Sequence, residues 1–580
     1  MTRPPVARLL VLLVPVALAG LFARVYYTPD EPREASLVVA MASQADHALP
    51  ELAGRPFAEK PPLLYWLGGA SVAALGAEPA AARLPNLLYF LVTVLAVAAL
   101  VARAVDATAG FAAGVASATM LQLYLAEIWL ATDAPLVAGV ALAVLGAYLG
   151  LAAAAPRERL VGYLVMHGGL ALAFFAKGFA GWLVPGCAWL TVVVLERRPR
   201  EFRAPALWTG VPLLVAAIGA WVLWVAARPD GVAALKVLFW YNLVGRAVPL
   251  AAPEQFSYAA GHANSPAKYL LELPLYLLPW TALAIAALKR APRGLRRRDA
   301  EGTAWRLAAG AIVLPTLALS LAATARGVYY APPALGFAIL VGLYVGSAGT
   351  ALDRTDRIAW RTTGVLLALL AAAIAALAAL AGFAPATRTT TSVALGVVAL
   401  GAGAAAAYLA LTPRALGAAS LPRLASAAAL TLSLGVAPLY LIVNDWLSLE
   451  ALAARVATAA GPARLRLLDP DETTLALAAL YLPAADVRDV LDSRDAAALA
   501  SAGAALGTNE RVLWLVPGGR WDRRAWLGFL GYAHAAPTAP TVAPPAALGP
   551  LATECVLMRP GGRALALLAP SQASPAGVCR

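Results

Sequence analysis

Cysteine is almost missing from this chain: Cys187 lies in an apolar run and Cys555 and Cys579 near the C-terminus, three among 580 residues. There is no Cys-x-x-Cys pair and no Cys/His cluster, which sets aside a structural zinc site of the usual spacing. The two late cysteines either close one disulfide or remain separate thiols; both readings stay open. Charge is scarce too. Charged residues make up 13% of the chain and hydrophobic ones 61%, with a mean hydropathy of +0.73. Soluble globular proteins carry about 25% charged residues, so roughly half of the solvated surface such a fold needs is absent. A soluble bundle of Ala-rich helices is set aside on that ground, and the composition points to a polytopic helical membrane protein. The formal net charge of +13 then reads as basic loops beside a membrane and not as a nucleic-acid surface.

What is abundant is apolar sequence of near-spanning length. Residues 8–23, preceded by Arg3 and opened by Arg8, resemble a signal peptide down to the small-residue Ala-Leu-Ala-Gly. Cleavage there would detach the helix from the polar stretch that follows, so it is read as an uncleaved anchor. Further runs fall at about 85–103, 109–125, 131–153, 159–176, 179–195, 206–227, 270–289, 305–323, 331–348, 361–382, 392–411 and 424–443, making about thirteen spans. With a cytoplasmic N-terminus, the basic loops at Arg103, 156–159, 196–203, 289–298, 353–357 and 412–423 all fall on one side, as the positive-inside rule requires.

An odd count leaves the tail outside. The expected organisation is a transmembrane domain over 1–444, with outer loops at 24–84 and 228–269, and a soluble extracytoplasmic α/β domain over 445–580. In the tail, 511–518 and 555–560 read as strands, 474–482 and 496–506 as helices, and the Pro/Ala-rich 536–550 as an internal loop. The tail has no Gly-rich phosphate loop and no nucleophile elbow, so no chemistry is assigned to it.

The chemistry is expected in Tyr26–Trp66 (YYTPDEPREASLVVAMASQADHALPELAGRPFAEKPPLLYW), a polar insert between the first two spans that is too long for a simple turn. Its Asp30-Glu31 pair is either a solvated loop or a catalytic carboxylate pair, with Arg33 close enough to orient one of them. Residues 34–45 form an amphipathic stretch suited to lie at the membrane interface. Further on, Pro61-Pro62 stops any helix and holds the preceding backbone extended. That presents Lys60, a compact phosphate-seeking charge, beside an apolar Leu-Leu-Tyr-Trp. The plain alternative is a lysine snorkelling at a helix start.

Asp133, in Thr-Asp-Ala-Pro-Leu at the outer start of a span, is either a second acidic group of the site or a helix N-cap. The topology places it on the same side as Asp30. Lys177, Arg246, His262, Arg326, Tyr329 and Tyr330 fall on that side as well. One face therefore offers carboxylates and several cations above an apolar body able to hold a lipid tail.

These residues carry a resemblance. YYTPDEPRE, RPFAEKPPLLYWL, AARLPN (81–86), TDAPL (132–136), AKGFAGWLVP (176–185), GHANSPAKYLLELPLYLLPW (261–280) and ARGVYYAPPALG (325–336) occur in that order over about residues 20–345. The ordered set resembles the GT-C membrane glycosyltransferases, near the bacterial relatives of protein O-mannosyltransferases that include the lipid A aminoarabinose transferase. The resemblance implies a GT-C fold and transfer of a sugar from a polyprenyl phosphate to a lipid or protein acceptor, at the outer face of a bacterial inner membrane.

It also implies roles. Asp30 matches the catalytic aspartate of the first loop, with Glu31 beside it, and Asp133 matches the second acidic residue. Lys60 matches the donor-phosphate lysine, with Arg246, Arg326, Tyr329 and Tyr330 as phosphate partners and Arg33 and Lys177 in support. Glu59 and His262 match positions that hold a divalent metal in one branch, although the reaction itself requires no cofactor. The expected displacement is single and inverting. Glu34, Ala45-Asp46-His47 and the absence of an arginine from AEIWLAT (126–132) depart from the family pattern, at places where sugar or acceptor would be read. The alternative function is a transporter or flippase of lipid-linked sugars. Such a protein would place its ionisable groups near the bilayer midplane and often shows repeated halves, and neither is visible here.

Overall fold

The computed structural model describes residues 6–242, 244–247, 265–322, 324–347, 352–412, 416–520, 530–532, 543–560 and 562–570. The apolar runs are helical because a segment inside a bilayer must satisfy its backbone N–H and C=O groups internally. Helix α1 (Val6–Phe22) leads to two shorter helices, α2 (Asp30–Ser43) and α3 (Leu63–Leu75). A small hairpin of β1 (Glu51–Leu52) and β2 (Arg55–Pro56) lies between them. There follow α4 (Pro79–Ala104), α5 (Ala107–Thr119), α6 (Leu121–Ile128), α7 (Asp133–Ala152), α8 (Pro156–Lys177) and α9 (Leu183–Leu195).

Among the described residues nine helical stretches are long and apolar enough to cross a membrane, or eleven if each of two bent pairs is one span. One of the nine, Pro156–Leu195, doubles back on itself. Arg159, near its start, pairs with Glu201 beyond its far end, and Arg198 Nη1 donates to Leu151 O at 2.9 Å. Thus α8 and α9 are two antiparallel legs joined by a tight turn at Gly178–Trp182. With the shorter α1, a helical counterpart occupies each expected span. Two of them are broken. Helices α5 and α6 meet at Met120 with a bend of 61°, and the stretch expected at 270–289 is two helices, Lys268–Tyr276 and Thr281–Arg296, bent by 116°. Pro279 between the latter two cannot donate a backbone hydrogen bond. The two breaks satisfy each other: Leu121 N donates to Leu278 O at 2.8 Å, and Trp280 Nε1 to Thr119 Oγ1 at 2.9 Å.

Small residues let α7 and α8 pack backbone to backbone. A Cβ at Gly146 would sit 2.1 Å from Met166 N, and one at Gly169 would sit 2.3 Å from Ala143 N. At one end of the bundle the basic loops interlock through Arg290–Asp356, Lys289–Asp353 and Arg306–Glu196. The polar insert and its partners occupy the other end.

Helix α2 departs from expectation. Instead of resting on the membrane interface with one face outward, it is a buried layer. Leu37, Val38 and Met41 pack with Leu64 and Tyr65 of α3, and Thr473 of the helix Glu472–Tyr481 bonds Pro29 O, at the helix's N-terminus, from the other side.

The C-terminal part is α/β. Five strands, β3 (Arg464–Leu468), β4 (Ala485–Leu491), β5 (Glu510–Arg520), β6 (Leu551–Arg559) and β7 (Arg563–Pro570), form one sheet in the order β4-β3-β5-β7-β6. Strand β3 runs parallel to β4 and β5, while β7 is antiparallel to β5 and β6. Strand β7 alternates across the sheet: Leu565 and Leu567 pack under the helices Leu449–Ala460 and Glu472–Tyr481, and Ala564, Ala566 and Leu568 face the helix Ala496–Ala504. Cys555 is disulfide-bonded and Cys187 is a free thiol. Cys579, and residues 536–542 of the loop expected at 536–550, lie outside the described residues.

Candidate active site

Asp30 opens α2 and keeps 29% of its side chain exposed. Arg326 Nη2 donates to its Oδ2 at 2.7 Å, and Arg33, one turn along the helix, approaches Oδ1 at 3.7 Å. Burial works against the Arg326 charge, but Asp30 outweighs it and holds the guanidinium's pKa above its ordinary value.

Glu31 turns the opposite way. Its side chain has no exposed surface and pairs with Arg24 and Arg83. Its oxygens also accept from Tyr27 N at 2.9 Å and Leu130 N at 2.8 Å. Burial pushes its pKa up, but the two guanidinium groups and the backbone donor prevail and hold it below the usual carboxylate range. The expectation that Glu31 shares the catalytic work of Asp30 is corrected here. A general base needs a lone pair within reach of substrate, and those of Glu31 are taken. It ties the end of α1, the start of α4 and the loop before α7 together.

Helix α3 starts at Leu63 with Pro62 as its N-cap, so the Pro-Pro pair sets the boundary as expected. Lys60 Nζ donates to Glu34 Oε1 at 2.7 Å. Arg33 Nη2 reaches the same oxygen at 2.7 Å, and the Tyr65 hydroxyl donates to Oε2 at 2.8 Å. Burial alone would raise the Glu34 pKa; the charges of Lys60 and Arg33 reverse that and bring it down to about 2.

Asp133 is the first residue of α7, and the N-cap position belongs to Thr132, whose side chain makes no cap bond. Asp133 accepts from Lys177 Nζ at 2.5 Å. That ammonium lies 5.0 Å from the centroid of the Tyr329 ring, a cation–π distance. Gly178, next in sequence, has its Cβ position 4.0 Å from Pro61 Cγ, beside Lys60. The Arg326–Tyr330 turn is fixed from below: Lys268 Nζ donates to Ala325 O at 2.7 Å, Tyr269 OH to Arg326 O at 3.0 Å, and Gln122 Nε2 to Gly327 O at 2.9 Å. An open circuit of contacts results, running Lys60, Glu34, Arg33, Asp30, Arg326, Tyr329 of the same turn, and Lys177 with Asp133, its two ends lying near each other where a Cβ added at Gly178 would come within 4.0 Å of Pro61. Each of these cations already faces a carboxylate, so an incoming phosphate group would compete for them.

One expected site residue, Tyr330, stands apart from these contacts. Tyr330 is buried, its ring stacked with Tyr269 and Tyr276 at centroid distances of 5.3 and 5.6 Å, and its hydroxyl is 2.9 Å from Thr316 Oγ1. It supports the turn and does not face the circuit, which corrects its expected part in binding phosphate. Arg246 lies in the short helix Val244–Ala247, with its side chain outside the description, and His262 lies outside the described residues. Glu59 precedes Lys60 and is half-buried. Among the described residues no group of three or more His, Cys, Asp or Glu is placed to hold a metal.

Residue reading alone missed Arg24 and Arg83, the two partners of Glu31, and Glu472, which accepts from Arg33 Nη1 at 2.5 Å. Arg83 had a signal: a charge entering a long apolar helix needs a buried partner. Glu472 had none, since its partner is 439 positions away.

Comparisons with known proteins find similar sequences and a similar fold. A family model described as dolichyl-phosphate-mannose-protein mannosyltransferase matches residues 59–224. Undecaprenyl phosphate-alpha-4-amino-4-deoxy-L-arabinose arabinosyl transferases of Pseudomonas paraeruginosa and Serratia proteamaculans are 29% and 26% identical over 358 and 350 residues. Those matches cover 61% and 58% of this chain but only 60% and 58% of the relatives' own length. The crystal structure of ArnT from Cupriavidus metallidurans bound to undecaprenyl phosphate aligns with a TM-score of 0.69 at 19% identity, covering 99% of both chains. Its apo state gives a TM-score of 0.68 at 18% identity. The fold is therefore that of this GT-C transferase, as the ordered motifs led one to expect.

Proposed function

We propose that the chain is a glycosyltransferase that moves a sugar from a polyprenyl phosphate to a lipid acceptor of the lipid A kind. The observation that carries the reading is the circuit itself: a partly exposed Asp30 linked to Arg326 and, through Arg33 and Glu34, to Lys60, at the end of the bundle away from the basic loops. In this reaction an acceptor hydroxyl attacks the anomeric carbon as the bond from that carbon to the phosphate oxygen breaks. The acceptor proton passes to Asp30 acting as general base. The departing polyprenyl phosphate keeps the bonding electrons, and Lys60, Arg326 and Arg246 neutralise its charge with help from Tyr329. Asp133 and Lys177 hold each other beside the path. A phosphate leaving group carries its own charge, so none of these steps is routed through a metal ion. One displacement inverts the anomeric centre.

The relatives' names point to an amino-arabinose donor on undecaprenyl phosphate and make this the first donor to assay. The proposed setting is a bacterial inner membrane, with the N-terminus and basic loops cytoplasmic and the site and the tail (445–580) outside. Transport of lipid-linked sugars, the alternative, is disfavoured because the ionisable groups of the circuit lie at helix ends and turns. The test is turnover of the purified protein in detergent with a panel of polyprenyl-phosphate sugars and lipid acceptors, wild type beside Asp30→Asn. The expected result is release of free polyprenyl phosphate that the substitution abolishes at unchanged melting temperature. Full turnover by Asp30→Asn would overturn the assignment.

A further inference from the structure

We propose that Glu472, from the C-terminal α/β part, is a positioning residue of the active site that keeps Arg33 at ion-pair distance from Asp30 but out of hydrogen-bond contact with it. The proposal rests on Asp30 being the base. The tail carries no chemical motif of its own, yet the start of its helix Glu472–Tyr481 is docked on the start of α2. Thr473 Oγ1 donates to Pro29 O at 3.1 Å, directly before Asp30. Glu472 Oε2 accepts from Arg33 Nη1 at 2.5 Å. The docked end is itself anchored: Asp471 caps the helix through Thr474 N at 2.9 Å, and Arg559 of β6 donates to Asp471 Oδ2 at 2.8 Å and to Thr474 Oγ1 at 2.8 Å. Glu472 therefore projects from a fixed point.

Arg33 is the shared element. Its two terminal nitrogens go to Glu472 and to Glu34, each within hydrogen-bond distance, whereas Asp30 is left at 3.7 Å. Arg33 and Asp30 are three residues apart on one helix face; with Nη1 released from Glu472, a small rotation brings the guanidinium into contact with the aspartate while Nη2 keeps Glu34, and Glu59 remains the other carboxylate acting on it. Asp30 already accepts from Arg326. A second guanidinium at contact distance, with the Glu472 charge gone, favours the ionised carboxylate and makes it a poorer proton acceptor. Glu472 thus keeps the second arginine 3.7 Å from the base, short of a direct hydrogen bond, and the tail becomes part of the site. A purely mechanical docking contact would hold the two parts together without affecting proton transfer, and the two cases separate experimentally.

The experiment measures polyprenyl phosphate release against pH for the full-length protein in detergent, as wild type, Glu472→Gln, Glu472→Asp, Thr473→Val and Asp30→Asn. Glu472→Gln is expected to lower kcat by about three- to tenfold, the partial response of a general base to a loss of basicity. Its acid limb is expected to move to lower pH, while KM for the donor changes less. Glu472→Asp restores part of the rate and of the limb. Thr473→Val, which removes a docking bond but no charge, lowers the melting temperature and leaves the limb in place. An unmoved acid limb in Glu472→Gln, with Asp30→Asn inactive, overturns this proposal alone. Full turnover in Asp30→Asn overturns the reading beneath it.

Discussion

Lys60 Nζ sits 2.7 Å from Oε1 of Glu34, a carboxylate with no exposed side-chain surface. The pairing gives Lys60 a fixed position before any phosphate arrives, and it stands where the sequence departs from the family pattern at Glu34. A buried carboxylate with one lysine, one arginine and one tyrosine hydroxyl around it is stable as the anion.

That arrangement predicts an acid-sensitive fold. The Glu34 pKa is about 2 in the folded chain against an ordinary 4.5. A depressed carboxylate contributes stability that is fully present above the unfolded value and is lost as pH falls through the folded one. The window is therefore pH 4.5 down to 2, and the shift corresponds to about 3 kcal/mol. Glu34→Gln is expected to melt lower at pH 6 and to show a flatter decline below pH 4.5. Melting curves of the detergent-solubilised protein test this, and a wild-type decline in the variant would count against it.

Much of the fold was legible because its signals are local. Apolar runs, the Pro61-Pro62 stop and the basic loops each act over a few residues, and each is found in place. The circuit was legible in its members but not in its wiring. Asp30, Lys60, Asp133, Lys177, Arg326 and Tyr329 are joined by contacts between distant helices, which no spacing rule encodes. Glu31 was misread because adjacent helical residues point in different directions, and one face of α2 is turned into the protein. The tail's β3, β4 and β7 gave little sequence signal: β7, buried on both faces, looks like a short apolar run (Arg-Ala-Leu-Ala-Leu-Leu-Ala-Pro), while β3 and β4 are short and carry charged residues within them.

Glu31 and Asp30 are neighbours with opposite expected phenotypes. Removing the Glu31 charge leaves Arg24 and Arg83, both buried, without their counter-ion. Breaking such a pair costs about 3–5 kcal/mol. Glu31→Gln should therefore lose folded yield and melting temperature, while the fraction that folds keeps turnover. Asp30→Asn should melt normally and turn over nothing. Size-exclusion profiles and melting curves of the two variants, read beside the release assay, decide it. Normal melting with no turnover in Glu31→Gln would return that residue to the chemistry.

The proposed sidedness rests on the distribution of charge. Arg198, Arg290 and Arg306 and their loops interlock at one end of the bundle, while the circuit and the C-terminal sheet occupy the other. Short basic loops stay cytoplasmic because translocating lysine and arginine is disfavoured. The proposal therefore has the circuit end facing outward, where a lipid-linked donor would be presented. Single cysteines at Arg203 and Thr458, both exposed, report this in a Cys187→Ser background. A membrane-impermeant maleimide should label Thr458→Cys in intact spheroplasts and Arg203→Cys only after permeabilisation. The reverse pattern would put the base, the donor lysine and the C-terminal sheet on the cytoplasmic side, and a donor presented at the outer face could not reach them.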